Sequence, residues 1–495
     1  MAHFTRHHGQ RCLMNYTTIC IVMLSFLTPV AIGQAAHDSI PNGKPFLNPS
    51  GASSTYSTSG KIELTGPFFQ SMGTNGRSCA SCHQPSDGMS VSAQHIEDRF
   101  LTSGGMDPIF RTVDGSNCNH DIDVSTLKGR RAAYKLLRTR GLIRVAIAVP
   151  PNADFEIVRV DNPYSCNETD TISQYRRPLP STNLRFLSAV MFDGRESSPL
   201  TGTTKITPQN YPASLESDLR HQTVDATINH AQGDGKRPTP AEQQQIVDFE
   251  MALFTAQTYG WTTGSLDVRG ATGGPEALMT QSFFIGVNSP IPEFENPASA
   301  PFNSSIFNTF DAFDHLPQRD PRAAIARGQA LFNSTPINIR GVAGLNDDQA
   351  AGGLVPGGIP VIAGFCGTCH DSPNVGNHSF PTPLNIGTGD PNPGDPTVNL
   401  GGLDIKYLPR ITVRSKITGE TKTTTDLGQA LVDGKFDHVG KIKGPILRGL
   451  AARAPYFHNG SARTLLDVVR FYELRFGVFF SPQEEDDLVA FLSSL

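Results

Sequence analysis

The chain has 495 residues, a formal net charge of −5, and 47 glycines and 37 prolines spread without a low-complexity tract. That length predicts two domains plus accessory loops, each long enough to bury its own core. The mildly acidic balance argues against nucleic-acid binding, and the Gly/Pro content reads as long loops wrapped around a helical framework.

The N-terminus has the pattern of an export signal over residues 1–33. Arg6 and Arg11 precede an apolar run from Ile19 to Ile32, no acid occurs before Asp38, and Ala31-Ile32-Gly33 is a small-x-small cleavage site. Met14 is an alternative start. The run is short for a membrane span, and no later stretch is apolar over a spanning length. The mature chain is therefore expected to be soluble in a bacterial periplasm. Losing Arg6 and Arg11 takes its formal charge from −5 to −7. Residues 34 to about 60, rich in Ser, Gly and Asn, read as an extended arm.

Next comes Cys79-Ala80-Ser81-Cys82-His83, a C-x-x-C-H motif that recurs as Cys366-Gly367-Thr368-Cys369-His370. Two thiols at this spacing can each add to a vinyl group of one porphyrin, and the following histidine then becomes the proximal ligand of the iron. A structural zinc site would need four clustered ligands, and a redox dithiol has no use for the histidine. The motifs thus predict two covalently bound haem c groups. Of eight cysteines, Cys12 and Cys20 leave with the signal and four carry haem. Cys118 and Cys166 remain, and an oxidising compartment favours a disulfide between them over two unpaired thiols.

After the first motif, Met89, His95, Met106 and His120 are each able to reach the distal side of an iron, as is Met72 before it. Residues 125–144 read as a helix capped by Ser125 or Thr126, with Ala132, Leu136 and Leu137 on its apolar face. Its basic residues Lys128, Arg130, Arg131, Lys135, Arg138, Arg140 and Arg144 have no acid among them. They read as a solvated face, as partners of haem propionates, or as a docking site for an acidic protein. Phe155–Val160 alternates like a short strand. Phe192-Asp193-Gly194-Arg195 is a charged turn whose Arg195 suits a propionate or the charge of a cleaving O–O bond. In a helix over 219–231, Gln222 and His230 are eight apart and share a face. Thr239, Pro240 and Glu242 form a capping box ahead of Val247, Met251 and Phe254.

From 261 to 319 the chain is rich in Gly, Pro, Asn and Ser, including Pro290-Ile291-Pro292, and reads as linker and loops. A helix starts at Asp320-Pro321 and leads to the second motif. Ala454-Pro455-Tyr456-Phe457-His458-Asn459-Gly460-Ser461 precedes a helix capped by Thr464 and Asp467, and Ser481 and Glu484 cap a last helix.

In chain order, the first C-x-x-C-H motif, Phe-Asp-Gly-Arg at 192–195, the second C-x-x-C-H motif and the 454–461 segment before Leu465–Tyr472 resemble the bacterial di-haem cytochrome c peroxidase and MauG superfamily. The resemblance covers about 60 to 495. It implies a mainly α fold: two cytochrome c-like haem domains with long loops and a little β. A peroxidatic domain would cover 34–260 and an electron-transfer domain 320–495, with a calcium ion often held between them. It implies reduction of hydrogen peroxide to water at the first haem, with Arg195, Gln222 and His230 as catalytic residues. Electrons would come from a small periplasmic cytochrome or copper protein through the second haem.

Three departures from the family stand out. Phe192 replaces the usual tryptophan between the haems. His230 sits where a glutamate is expected, a position in which histidine can also act as a base. No methionine follows Met279, so the second iron lacks its usual ligand, and Tyr472 falls at the spacing of the distal ligand, as in MauG. His378, His438 and His458 compete with it. The alternatives are a MauG-like or rubber-oxygenase-like oxidase acting on a protein or organic substrate, and a non-catalytic di-haem electron carrier.

Overall fold

A computed structural model describes residues 38–118, 122–166, 168, 171–187, 189–197, 213–283, 287–288, 301–347, 358–376 and 383–495. The export signal, His120, Pro290-Ile291-Pro292 and His378 lie outside the described residues.

The expectation of a mainly α fold is corrected. The described residues are 31% helical and 18% strand, with 11 helices and five small sheets, so the architecture is mixed α/β. The reason is pairing between segments far apart in sequence. The stretch read as an extended arm contains the strand Gly51–Ser57, whose small and β-branched residues are nearly all buried. It lies between Phe46–Asn48 and Leu253–Gly260 in a four-stranded sheet whose last member is Gly264–Ser265. The alternating segment Phe155–Asp161 is a strand, and it pairs antiparallel with Arg410–Ser415, which in turn pairs with Thr421–Thr424. The long loops thus satisfy their backbone groups with each other, and residues from both motif-bearing halves share a sheet. Asp38–Leu495 form one compact unit.

The basic segment is not a single helix. Leu127–Ala133, capped by Thr126, ends at Tyr134, whose φ of −94° and ψ of 22° break the helical path. Lys135–Arg140 follows and stops at Gly141 in the left-handed region. Arg144 lies in the strand Ile143–Ile147. Tyr134 is buried against Phe110, with ring centroids 5.3 Å apart, and that packing sets the bend. The other capping signals do start helices. Thr239 and Glu242 cap Pro240–Met251, Asp320 caps Pro321–Ser334, Thr464 and Asp467 cap Leu465–Phe476, and Ser481 and Glu484 cap Pro482–Ser493.

Several modest apolar clusters replace one central core. The largest gathers Phe310, Phe313, Ile325, Phe332, Leu488 and Phe491 between Pro321–Ser334 and Pro482–Ser493. Gly328 lets these two helices touch, because a Cβ there would collide with the Asp487 carbonyl. No helix among the described residues is long and apolar enough to cross a membrane.

Candidate functional site

Each C-x-x-C-H segment folds into one tight turn. Cys79–Ser81 is a single 3-10 turn that begins with Ser78 N donating to Ser81 Oγ at 3.0 Å. His83 N then donates to the Cys79 carbonyl at 3.0 Å. In the second copy Cys366–Cys369 is a short helix, and His370 N donates to the Cys366 carbonyl at 2.8 Å. The histidine rings are held alike. His83 Nδ1 lies 3.1 Å from the Met89 carbonyl, and His370 Nδ1 lies 2.9 Å from the Val375 carbonyl. Both carbonyls belong to fully buried non-glycine residues at φ +58°. That conformation is uncommon for methionine and an outlier for a β-branched valine. The same strained device is used twice to aim a carbonyl at Nδ1, which leaves Nε2 as the nitrogen for a metal. Burial lowers the His83 pKa to about 4 and also lowers that of His370, so both rings are neutral, as ligands must be. Burial also pushes the thiols up, to about 12 for Cys79 and Cys366 and about 11 for Cys369. That is the opposite of an activated redox dithiolate.

Cys79, Cys82 and His83 open onto a cavity of about 1440 Å³, mouth included. Arg195, Gln222 and His230 line the same cavity. One of its walls comes from the helix Ala213–Asn229. Leu219, Gln222, Thr223, Ala226 and Thr227 line it at helical spacing, with His230 just beyond.

His230 Nδ1 lies 2.6 Å from Asp114 Oδ2, and Asp114 also pairs with Arg77, two residues before Cys79. Arg77 is anchored to the Pro108 and Ile109 carbonyls at 3.0 and 2.6 Å. Burial alone would raise the Asp114 pKa, but Arg77 and His230 hold it below the usual carboxylate range. The first C-x-x-C-H loop and the candidate base are therefore braced by one buried carboxylate. Arg195 Nη1 donates to Asp193 Oδ2 at 2.9 Å. Arg176 bridges Asp193 at 2.5 Å and Asp426 at 2.7 Å, with all three side chains buried.

The cavity's chemistry fits a haem. Its walls are apolar around Leu184, Leu187, Val190, Ile246 and Ile446, and two buried cations on it have no carboxylate partner among the described residues. Among the described residues Arg177 donates to the Arg140, Val91 and Arg453 carbonyls alone, and Lys443 Nζ has only the Gly444 carbonyl at 3.4 Å. Burial drags their pKa values down to about 10 and about 8. Buried cations call for anions, and haem propionates would supply them. The basic segment 128–144 does not fill that role. Arg130 binds the Gly104 and Val124 carbonyls, Arg138 pairs with Glu97, Arg140 binds the Gly460 carbonyl, and Arg144 binds Ser173. Lys128, Arg131 and Lys135 are exposed.

Most of the other residues read as distal ligands lie elsewhere. Met89 packs its side chain with Ile62, Phe68 and Leu253 beneath His83. His95 pairs with Asp87 at 2.5 Å, and Met106 is exposed. Met72 does line the cavity.

At the second motif, Tyr472 is half-buried between the Phe471 and Phe476 rings, 5.5 and 5.4 Å away. Burial raises its phenol pKa, the Cys369 and Cys366 thiols add to that rise, and Phe476 packs against the same apolar cluster as Cys369. His438 is engaged with Asp433 at 2.5 Å. His458 is buried, its Nδ1 is 3.3 Å from Thr388 Oγ1, and its Nε2 has no hydrogen-bond partner. Its ring lies 6.0 Å from that of Phe192, which lines the first cavity, so this pair bridges the first site and the 454–461 segment.

Cys118 and Cys166 are joined as a disulfide, with Cα atoms 5.5 Å apart. Among the described residues no group of three or more His, Cys, Asp or Glu side chains is gathered as a metal site. Asp114, Arg177, Lys443 and Glu250 all line the first cavity, and sequence reading missed all four. Burial pushes the Glu250 carboxyl up to about 7. No protein-family model matches the chain, and no curated protein sequence matches it.

Proposed function

We propose that the chain is an exported di-haem c-type cytochrome peroxidase that reduces hydrogen peroxide to water in the first cavity. The observation that carries this reading is the meeting of Cys79, Cys82 and His83 with Arg195, Gln222 and His230 around one cavity. The resemblance in motif order supports it. Haem held by Cys79, Cys82 and His83 would supply the redox chemistry: one peroxide, two protons and two electrons give two waters. The electrons come from a small periplasmic cytochrome or copper protein by way of a second haem at Cys366, Cys369 and His370. A calcium ion belongs to this reading through the resemblance alone.

The chain's own groups then have distinct tasks. Asp114 holds His230 Nδ1, so Nε2 is free to take a proton from the near peroxide oxygen and return it to the far one. The Asp114 carboxylate steadies the imidazolium between those transfers. Arg195, set by Asp193, faces the separating charge, and Gln222 orients the peroxide. Arg177 and Lys443 take the propionates. The test is His230→Ala in the full-length protein with its haem content checked. Peroxide turnover should fall by about 10²–10⁴-fold, the usual worth of a positioned acid–base group. Unchanged turnover would remove His230 from the mechanism.

Tyr472, whose ring neighbour Phe476 packs in one cluster with Cys369, favours a second reading, a MauG-like oxidase of a protein or organic substrate. Phenolate ligation would lower the second haem's potential. In that reading Tyr472→Phe changes the low-spin electron paramagnetic resonance signal of the second haem. An unchanged signal returns Tyr472 to a packing role.

A further inference from the structure

The helix Ala213–Asn229 carries His230 one residue beyond its end, where the last carbonyls of a helix lack partners within it. Here donors come from residues 74–77, just ahead of Cys79. Thr74 N donates to the Ala231 carbonyl at 3.1 Å, and Thr74 Oγ1 donates to the Gln232 carbonyl at 2.8 Å. The His230 carbonyl takes two donors, Asn75 Nδ2 at 2.8 Å and Arg77 Nη1 at 3.2 Å. Asn75 is fixed in turn. Its Oδ1 accepts from Arg77 N at 3.1 Å, and its carbonyl accepts from Arg111 Nε at 2.7 Å. Gly73 makes room for this contact, because a Cβ there would collide with the Ala231 carbonyl. The chain beyond gives the helix end little support: Gln232 turns at φ +53°, and residues 234–237 are exposed.

We propose that Asn75 is a positioning residue for the distal base, clamping the His230 main chain to the loop that carries Cys79, Cys82 and His83. His230 is then held at two points. Asp114 holds the ring at Nδ1, and Asn75 with Arg77 holds the backbone. Both holds return to residues 75–77, since Arg77 also pairs with Asp114. The base and the attachment loop therefore move as one body, and Nε2 keeps its place in the first cavity. With the backbone hold lost, the ring stays tethered to Asp114 while the helix end shifts, so Nε2 swings away from the reacting atoms. A misplacement of about 1 Å costs on the order of 10²-fold in rate. The proposal rests on the reading of His230 as the base at the first haem.

The test uses the full-length exported protein and its Asn75→Asp, Gly73→Ala and His230→Ala variants, with haem at each motif counted by peptide mass. Asn75→Asp keeps the Oδ1 acceptor for Arg77 N and removes the donor to the His230 carbonyl. Gly73→Ala keeps every donor and pushes the helix end away. Two ligands of the first haem read the base separately from the fold. Hydrogen cyanide must give up its proton to bind ferric iron, whereas carbon monoxide binds ferrous iron with no proton transfer. In both clamp variants the association rates of hydrogen cyanide and peroxide should fall by about 10-fold or more, while carbon monoxide binds at the parent rate. Asn75→Asp decides the matter if Gly73→Ala does not accumulate. Where His230→Ala slows cyanide, parent-like cyanide and peroxide rates in a haem-loaded Asn75→Asp protein, or a carbon monoxide rate that falls as far, would overturn the proposal alone. A His230→Ala protein that binds cyanide at the parent rate would overturn the reading of His230 as the base, and this proposal with it.

Discussion

Asp114→Asn keeps the shape of the side chain that braces His230 and removes its charge. Asp114 takes two partners, the His230 ring at 2.6 Å and the Arg77 guanidinium, and its own side chain is 6% exposed. An amide has one oxygen to offer and turns its NH₂ towards the other donor, so one charge-assisted bond worth about 1.5–3 kcal/mol is lost. Breaking a buried ion pair costs about 3–5 kcal/mol. The low end applies here, because Arg77 keeps the Pro108, Ile109 and His230 carbonyls. The variant should therefore fold, with stability lower by about 3 kcal/mol. Its chemical step should suffer separately. Without its acceptor the His230 ring loses its fixed tautomer, and a loss of about 10²-fold corresponds to roughly 2.7 kcal/mol in the barrier. Stopped-flow mixing of the electron-loaded protein with peroxide, scaled to haem content, reads that rate directly. A wild-type rate from a fully haem-loaded Asp114→Asn protein would refute the assignment of His230 as an oriented base.

Arg176→Met takes the guanidinium from buried Asp426 and leaves Asp193 with Arg195 alone, and should lower the unfolding free energy by about 3–5 kcal/mol in a denaturant titration; a change below about 1 kcal/mol would mean that the network is slack. Against the upward push of burial, Arg195 and Arg176 hold Asp193, and Arg176 holds Asp426, below the ordinary value of 3.8. Their stabilisation is therefore complete above about pH 3.8 and is lost as pH falls towards their folded-state values. Asp193→Asn should flatten that acid limb in pH-dependent unfolding, and an unaltered limb would place acid sensitivity elsewhere. Removing the disulfide with Cys118→Ser and Cys166→Ser opens a span of 48 residues and should cost about 4 kcal/mol on the chain-entropy relation. Thermal unfolding that is unchanged would show that this loop is ordered without the bond.

What the sequence made legible was local. The capping boxes at Thr239, Thr464 and Ser481 depend on residues three apart, and those helices begin there. Gln222 and His230 could be put on one face because helical periodicity needs only their spacing, and both line the cavity. What was missed depends on distance along the chain. Gly51–Ser57 looks like a polar arm until Leu253–Gly260 pairs with it, so the strand content escaped. Asp114 reaches His230 across 116 positions, and Arg176 reaches Asp426 across 250. No periodicity reports such contacts. Arg130, Arg138, Arg140 and Arg144 looked free because their partners, largely backbone carbonyls, leave no mark in composition. Met89 shows the same limit: its side chain drew attention as a ligand, whereas its carbonyl on the other side of the ring does the orienting.

Whether the first cavity carries a covalent haem on Cys79 and Cys82 is settled by intact-mass measurement of the exported protein and its Cys79→Ser/Cys82→Ser variant. Both should be produced in a host that attaches haem c. The prediction is a mass for the signal-cleaved chain plus two haems, with one haem in the variant and no spectral response to peroxide. A wild-type mass without haem at the first motif, or a variant that responds to peroxide as the parent does, would contradict the peroxidase reading at its base.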